Sequence, residues 1–175
     1  MSKQIFVNLP VKDLKKSMDF FSKLGFTFNP QFTDENAACM IIGENIYAML
    51  LVESFFSTFT NKKISDATKT TEVLIAIDTE SKELVDDMVK KAVAAGGTIY
   101  KEPADHGWMY QHSFADLDGH QWEVLYADES QIPKGWFEEI TKDKKQMTNK
   151  FQITNFKQRK LKFWFWFLFE FCFLC

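Results

Sequence analysis

The chain has 175 residues, of which 46% are hydrophobic and 26% charged, and a formal net charge of -3. That length supports one domain with a real core, or two small fused modules. The near-neutral charge argues neither for nucleic acid nor for a membrane surface as partner. Residues 1–141 hold 13 Lys/Arg against 22 Asp/Glu, and residues 142–175 hold 8 against 2, so a basic tail follows an acidic body. Cys39, Cys172 and Cys175 make no disulfide framework. The N-terminus carries no apolar signal region, and no apolar run reaches the ~18 residues of a transmembrane helix. A reducing, cytoplasmic location is the default expectation.

Ile5 to Val11 alternates as a strand, with Ile5, Val7, Leu9 and Val11 on one face and Phe6, Asn8 and Pro10 on the other. Asp13 is placed to cap a helix carrying Leu14, Met18, Phe21 and Leu24, and Gly25 is placed to stop it. Strands are expected at Phe26–Phe32, Ala37–Ile42 and Ile46–Val52. Glu53 to Thr71 is a long connector with Phe55, Phe56 and Phe59; it reads as a crossing between modules whose phenylalanines plug a core edge, and its length also admits a helical turn or a mobile flap.

The pattern then restarts. Glu72–Ile77 reads as a strand. Asp78 and Ser81 lead into a helix whose apolar residues are Leu84, Met88, Ala92 and Val93, ended by Gly96-Gly97. Thr98–Lys101 reads as a strand and Pro103 to Gly107 as a turn. Trp108–Phe114 and Gln121–Tyr126 form a hairpin around Asp118-Gly119, a two-residue turn signal. After that turn Trp122, Val124 and Tyr126 share one face. Glu123 stands mid-strand on the other, where a buried carboxylate needs a partner.

The order strand, helix, three strands thus occurs twice, in modules at about 4–52 and 72–130. The expected fold class is α+β. Two βαβββ modules form curved mixed sheets around a cleft, with helices on the outer faces, in a domain spanning 1–132. Val11-Lys12-Asp13-Leu14, Ser17, Phe20-Phe21, Leu24-Gly25-Phe26 and Asp116-Leu117-Asp118-Gly119-His120 with Trp122-Glu123 carry a resemblance. On these residues the chain resembles the vicinal oxygen chelate superfamily over about residues 4–130. That group spans glyoxalase-like lyases, extradiol dioxygenases and bleomycin-binding proteins. The chain looks most like small bacterial proteins described as predicted lactoylglutathione lyases.

The resemblance implies up to four metal-ligand positions on the inner sheet faces. Here they fall on Phe6, on the Ala48–Leu51 segment, on Glu72 and on Glu123. The first two offer no hard ligand. Two carboxylates alone hold at most a labile divalent ion. Placing Phe114 opposite Glu123 adds His112 and Tyr110 to the same face, so Glu72, Glu123 and His112 form the candidate metal set. Tyr110 and His106 are the candidate proton-transfer residues, and Phe6, Asn8 and Phe114 the candidate ligand-lining ones. That set depends on hairpin register, since a slip of one residue reverses the face. Each residue also has a plainer reading: Glu123 held by a cleft partner, Glu72 solvated, His112 a hydrogen-bonded lining residue, His106 exposed, and Cys39 a buried structural thiol. His120 is expected to point away from Glu123.

Two functions follow as expectations. One is a small-organic-ligand binder with a degenerate metal site. The other is a divalent-metal lyase or dioxygenase using Glu72, Glu123 and His112. The resemblance also implies a homodimer. Residues 133–175 leave the pattern: a short helix is expected around Trp136-Phe137, then a basic linker and a Phe/Trp-rich end. That end reads as an anchor, as a Cys172-x-x-Cys175 motif, or as translation past the natural stop.

Overall fold

The structure, a computed structural model, describes residues 3–133. Residues up to Ala127 form one compact unit and those from Asp128 a second. The described part of the second is a 3-10 turn, Glu129–Gln131, begun by Asp128, whose carboxylate accepts from Ser130 N–H at 2.9 Å. The expected helix around Trp136-Phe137 and the Phe/Trp-rich end lie outside the described residues.

In the first unit β1 (Ile5–Val11) leads into α1 (Leu14–Leu24). Asp13 caps the helix, its Oδ1 accepting from Lys16 N–H at 3.1 Å. Gly25 ends it at φ 102°, a left-handed conformation that suits glycine. Then come β2 (Thr27–Asn29), β3 (Ala37–Gly43) and β4 (Ile46–Val52). The expected strand over Phe26–Phe32 is shorter, because Pro30 lacks an N–H for the ladder and opens a 3-10 turn at Pro30–Phe32. The sheet runs β1-β4-β3-β2, with β1 parallel to β4 and the remaining pairs antiparallel.

The connector contains the one-turn helix α2 (Glu53–Phe56) and a 3-10 turn over Ser57–Phe59. The second module repeats the plan with β5 (Leu74–Asp78), α3 (Lys82–Ala94), β6 (Ala104–Asp105), β7 (Met109–Ala115) and β8 (Gln121–Ala127), in the order β5-β8-β7-β6. Glu72 therefore precedes its strand instead of opening it. Thr98–Lys101 makes a single bridge, Thr98 with Ala115, in place of a strand.

The helical face of α3 also differs from expectation. Val85, Val89 and Ala92 are buried, whereas Leu84 and Val93 are exposed. One hydrophobic core serves both modules. Leu9, Val11, Met40 and Leu50 of the first join Ile75, Ile77, Val85 and Val124 of the second. The aromatic centre crosses between them: the Phe21 ring of α1 meets Trp122 of β8 edge-on at 5.2 Å. Phe114 lies parallel to Trp122 at 6.2 Å and completes that cluster.

Candidate functional site

The hairpin is one residue longer than a two-residue turn. Asp116 N–H donates to His120 C=O at 3.0 Å, and Gly119 N–H to Asp116 C=O at 3.2 Å. Leu117-Asp118-Gly119 is thus a three-residue loop with Gly119 at φ 96°. The extra residue shifts the register. Ser113, not Phe114, pairs with Glu123, and Phe114 pairs with Trp122.

That one step rearranges the expected constellation. Phe114 is fully buried in the core and lines no cleft. His112 pairs with Val124 and Tyr110 with Tyr126, so both belong to the helix-bearing face, opposite Glu123. The Tyr110 hydroxyl donates to Asp86 of α3 at 2.8 Å. Burial and that carboxylate push its pKa up to about 12. His112 accepts on Nδ1 from Ser113 N–H at 2.8 Å. His106 is exposed in the turn after β6. Glu72 lies against Nδ1 of the buried His120. Phe6 is half exposed and stacks on Tyr47 at 4.9 Å, and Asn8 is exposed. Cys39 is a buried free thiol.

The structure gathers a different set around Glu123. Alternation along β7 and β8 puts Gln111 and Ser113 on its face. Glu123 is only 5% exposed. Burial raises its pKa, partly offset by the charge of Lys101. The Tyr100 hydroxyl is buried beside it without a well-formed hydrogen bond, and burial together with the Glu123 charge raises its pKa. Gln111 Oε1 is likewise buried with no donor. Ser113 Oγ donates to Lys101 C=O at 3.2 Å. The recess over these groups is closed, bordered also by Glu102 and His112. Register arithmetic from a three-residue loop would have found Gln111 and Ser113. Tyr100 and Lys101 lie in irregular backbone that no periodicity marks.

The donor set does not fit a metal centre. Phe6 and Met49 stand on the inner face of the first sheet, Glu72 is taken by His120, and His112 looks the other way. Among the described residues, no group of three His, Cys, Asp or Glu side chains could hold an ion.

The Asp-Leu-Asp-Gly-His segment joins the modules. Asp118 accepts from Lys12 N–H at 3.0 Å and from Ser17 Oγ at 3.1 Å. His120 Nε2 lies 2.8 Å from Pro10 C=O. Asp116 accepts from Asp118 N–H, His120 N–H and Trp122 Nε1–H. Burial still raises its pKa.

The family model for the bleomycin resistance protein-like N-terminal region matches residues 3–43. The hypothetical protein SA1046 from S. aureus is 32% identical over 73% of this chain and 95% of its own, with a TM-score of 0.63. The chain belongs to the vicinal oxygen chelate superfamily. The fold of this vicinal oxygen chelate protein is also that of a glyoxalase/bleomycin resistance protein/dioxygenase family enzyme from Burkholderia phytofirmans. There the identity is 19% over 70% of this chain and 96% of that one, with a TM-score of 0.59. A glyoxalase-related enzyme from Fulvimarina pelagi shares it too, at 17% identity over 72% and 88% of the two chains and a TM-score of 0.61. No curated protein matches the chain. Among the described residues, no helix is long and apolar enough to cross a membrane.

Proposed function

We propose that this protein binds a small organic ligand over the inner face of its second sheet, through Glu123, Tyr100 and Gln111, and that binding needs no metal. One observation carries the reading: the Tyr100 hydroxyl and Gln111 Oε1 are buried without hydrogen-bond partners beside the buried Glu123 carboxylate. Each such group costs about 1–3 kcal/mol when left unsatisfied, a cost a ligand can recover. Two of the three, the Glu123 carboxylate and Gln111 Oε1, can only accept, so the complementary ligand presents hydrogen-bond donors. The recess is closed, so binding displaces a side chain at its rim, and Lys101 and Glu102 border it. A homodimer belongs to the same reading, since Ile5, Phe6 and Ile46 leave apolar surface exposed on the first sheet.

A thermal-shift screen of small amines, amides and phenols tests it, with Glu123→Gln and Tyr100→Phe as paired variants. Ligands that stabilise the wild type should bind each variant at least tenfold more weakly and be indifferent to chelator. Failure of every compound, or hits unaffected by both substitutions, would refute the proposal. A stoichiometric divalent ion whose removal abolishes binding would favour the metal-dependent lyase or dioxygenase instead. Light scattering gives the oligomeric state.

A further inference from the structure

Residues 99–103 run beside the edge of β7 without joining it. Thr98 bridges Ala115 through two hydrogen bonds, of 2.7 and 3.0 Å, and the ladder resumes where Ala104 pairs with Gln111. Five residues, 99–103, therefore lie opposite three, 112–114, and among the described residues none of the five has a ladder partner. The surplus lifts the segment off the sheet, as a bulge does. Alternation shows what the edge gives up. Ala115 turns both of its backbone groups to this side, so Ser113, two residues earlier, does the same. The Ser113 N–H meets the His112 ring instead of a neighbouring strand, Nδ1 accepting at 2.8 Å.

Both ends of the segment are anchored. Gly97 N–H donates to Ala92 C=O at 2.9 Å, and a Cβ on Gly97 would lie 2.8 Å from the Ala115 carbonyl oxygen. Asp105 pairs with Tyr110 and accepts from Lys82 Nζ at 2.7 Å. Between the anchors Ser113 Oγ donates to Lys101 C=O at 3.2 Å, which is long for a hydroxyl donor. The closed position also gains little from burial. Ile99, Glu102 and Pro103 are exposed, and none of the five residues belongs to the core. What closure does bury is polar: the Tyr100 hydroxyl is orphaned beside Glu123, and Gln111 Oε1 is orphaned in the same recess. A segment with few buried apolar contacts opens at low cost, and groups that regain water on opening lower that cost further.

We propose that residues 99–103 are the gate of the recess over Glu123, a strap that leaves the edge of β7 between two fixed ends while the rest of the sheet stays folded. This rests on the reading of that recess as a ligand site, and it says how a ligand reaches a closed one: a short piece of backbone moves, carrying Tyr100 and Lys101 with it.

The test needs no ligand. In the full chain with Cys39→Ala, Cys172→Ser and Cys175→Ser, the variant Glu123→Cys places a reporter thiol under the strap, and methyl methanethiosulfonate labels it. Labelling should proceed far faster than global unfolding and be insensitive to low urea, as a local opening is. Two further substitutions should act in opposite directions. Ser113→Ala removes the bond to Lys101 C=O and should speed labelling by about threefold to tenfold. Tyr100→Phe removes the orphaned hydroxyl and should slow it by at least about fivefold. Hydrogen exchange repeats the measurement with Glu123 in place: Tyr100→Phe should slow exchange of the Ser113 N–H by a similar factor. Labelling only at the rate of global unfolding would overturn the proposal. So would a rate that both variants leave unchanged, or Ser113 exchange indifferent to Tyr100→Phe. A strap that opens as described in a chain that binds no screened compound would uphold the gate and refute the ligand reading alone.

Discussion

Asp118 offers the sharpest test of the idea that the hairpin loop clamps the modules together. Replace it with alanine. Two acceptor oxygens vanish from a position only 8% exposed. Their donors are Lys12 N–H at 3.0 Å and Ser17 Oγ at 3.1 Å. The two losses are unequal. Ser17 Oγ also lies 3.1 Å from Asp13 C=O, and its single proton can turn there. Lys12 N–H has no such alternative and is orphaned. One orphaned, partly buried amide costs about 1–3 kcal/mol. The lost charge-assisted bond is partly offset by no longer burying a carboxylate, so about 2 kcal/mol is expected in total. Asp118→Asn should cost less, about 1 kcal/mol, since its carbonyl keeps the Lys12 bond and its amide can donate to Ser17 Oγ. Urea unfolding of the full chain reads both, with the midpoint falling and the slope unchanged. Native-state hydrogen exchange should show Lys12 N–H losing protection selectively. An alanine variant within about 0.5 kcal/mol of wild type, the usual surface value, would refute the clamp. So would an asparagine variant as damaged as the alanine one.

Three further outcomes are expected. Glu123 has a folded-state pKa above the ordinary value of 4.5. Between the two values the native state binds more protons than the unfolded one, so this group's contribution to stability falls as pH rises above 4.5. Wild-type stability measured relative to Glu123→Gln should therefore decline across that window in denaturation series from pH 4 upward, and a rising difference would contradict the burial argument. Gly119→Ala should cost more than Gly107→Ala in chemical denaturation. Both have positive φ, worth about 1–2 kcal/mol, but only Gly119 has the connector backbone within 3 Å; equal costs would mean that the connector yields. Val85→Ala should cost about 2 kcal/mol and Leu84→Ala under about 0.5, because only the first is in the core. The reverse order would place α3 on its other face.

The parts of this fold that were legible are those where local chemistry and global packing agree. β1 has the bounds that alternation predicts, because its apolar side meets the shared core. Asp13 and Gly25 bracket α1 because a cap acceptor and a left-handed stop are local needs. The face of α3 was misjudged because Leu84, Met88, Ala92 and Val93 and Val85, Val89 and Ala92 both make acceptable helical stripes. Nothing within the helix selects between them; the sheet beneath it does.

The candidate site was harder to read because it depends on one integer, the loop length of the last hairpin. Asp118-Gly119 announces a tight turn but does not count its residues. Counting two placed His112 and Tyr110 beside Glu123; counting three sends them to the helix side and brings Gln111 and Ser113 in their place. A period of two turns a single-residue error into a complete exchange of faces. His120 was hidden for a related reason. It sits between loop and strand, where alternation gives no direction, and its partners Pro10 and Glu72 lie far away along the chain.

By itself, then, the sequence determined the duplicated strand-helix-three-strand plan, the helix ends, the position of the last hairpin and the burial of a carboxylate at Glu123. These follow from periodicity, caps and turn residues, all of which act over a few neighbouring positions. The tertiary structure decided which side chains share a face with Glu123. It turned Asp116, Asp118 and His120 into a tie between modules and left residues 99–103 off the ladder beside β7. Such outcomes rest on register and on contacts between distant segments, which only the packed chain brings together.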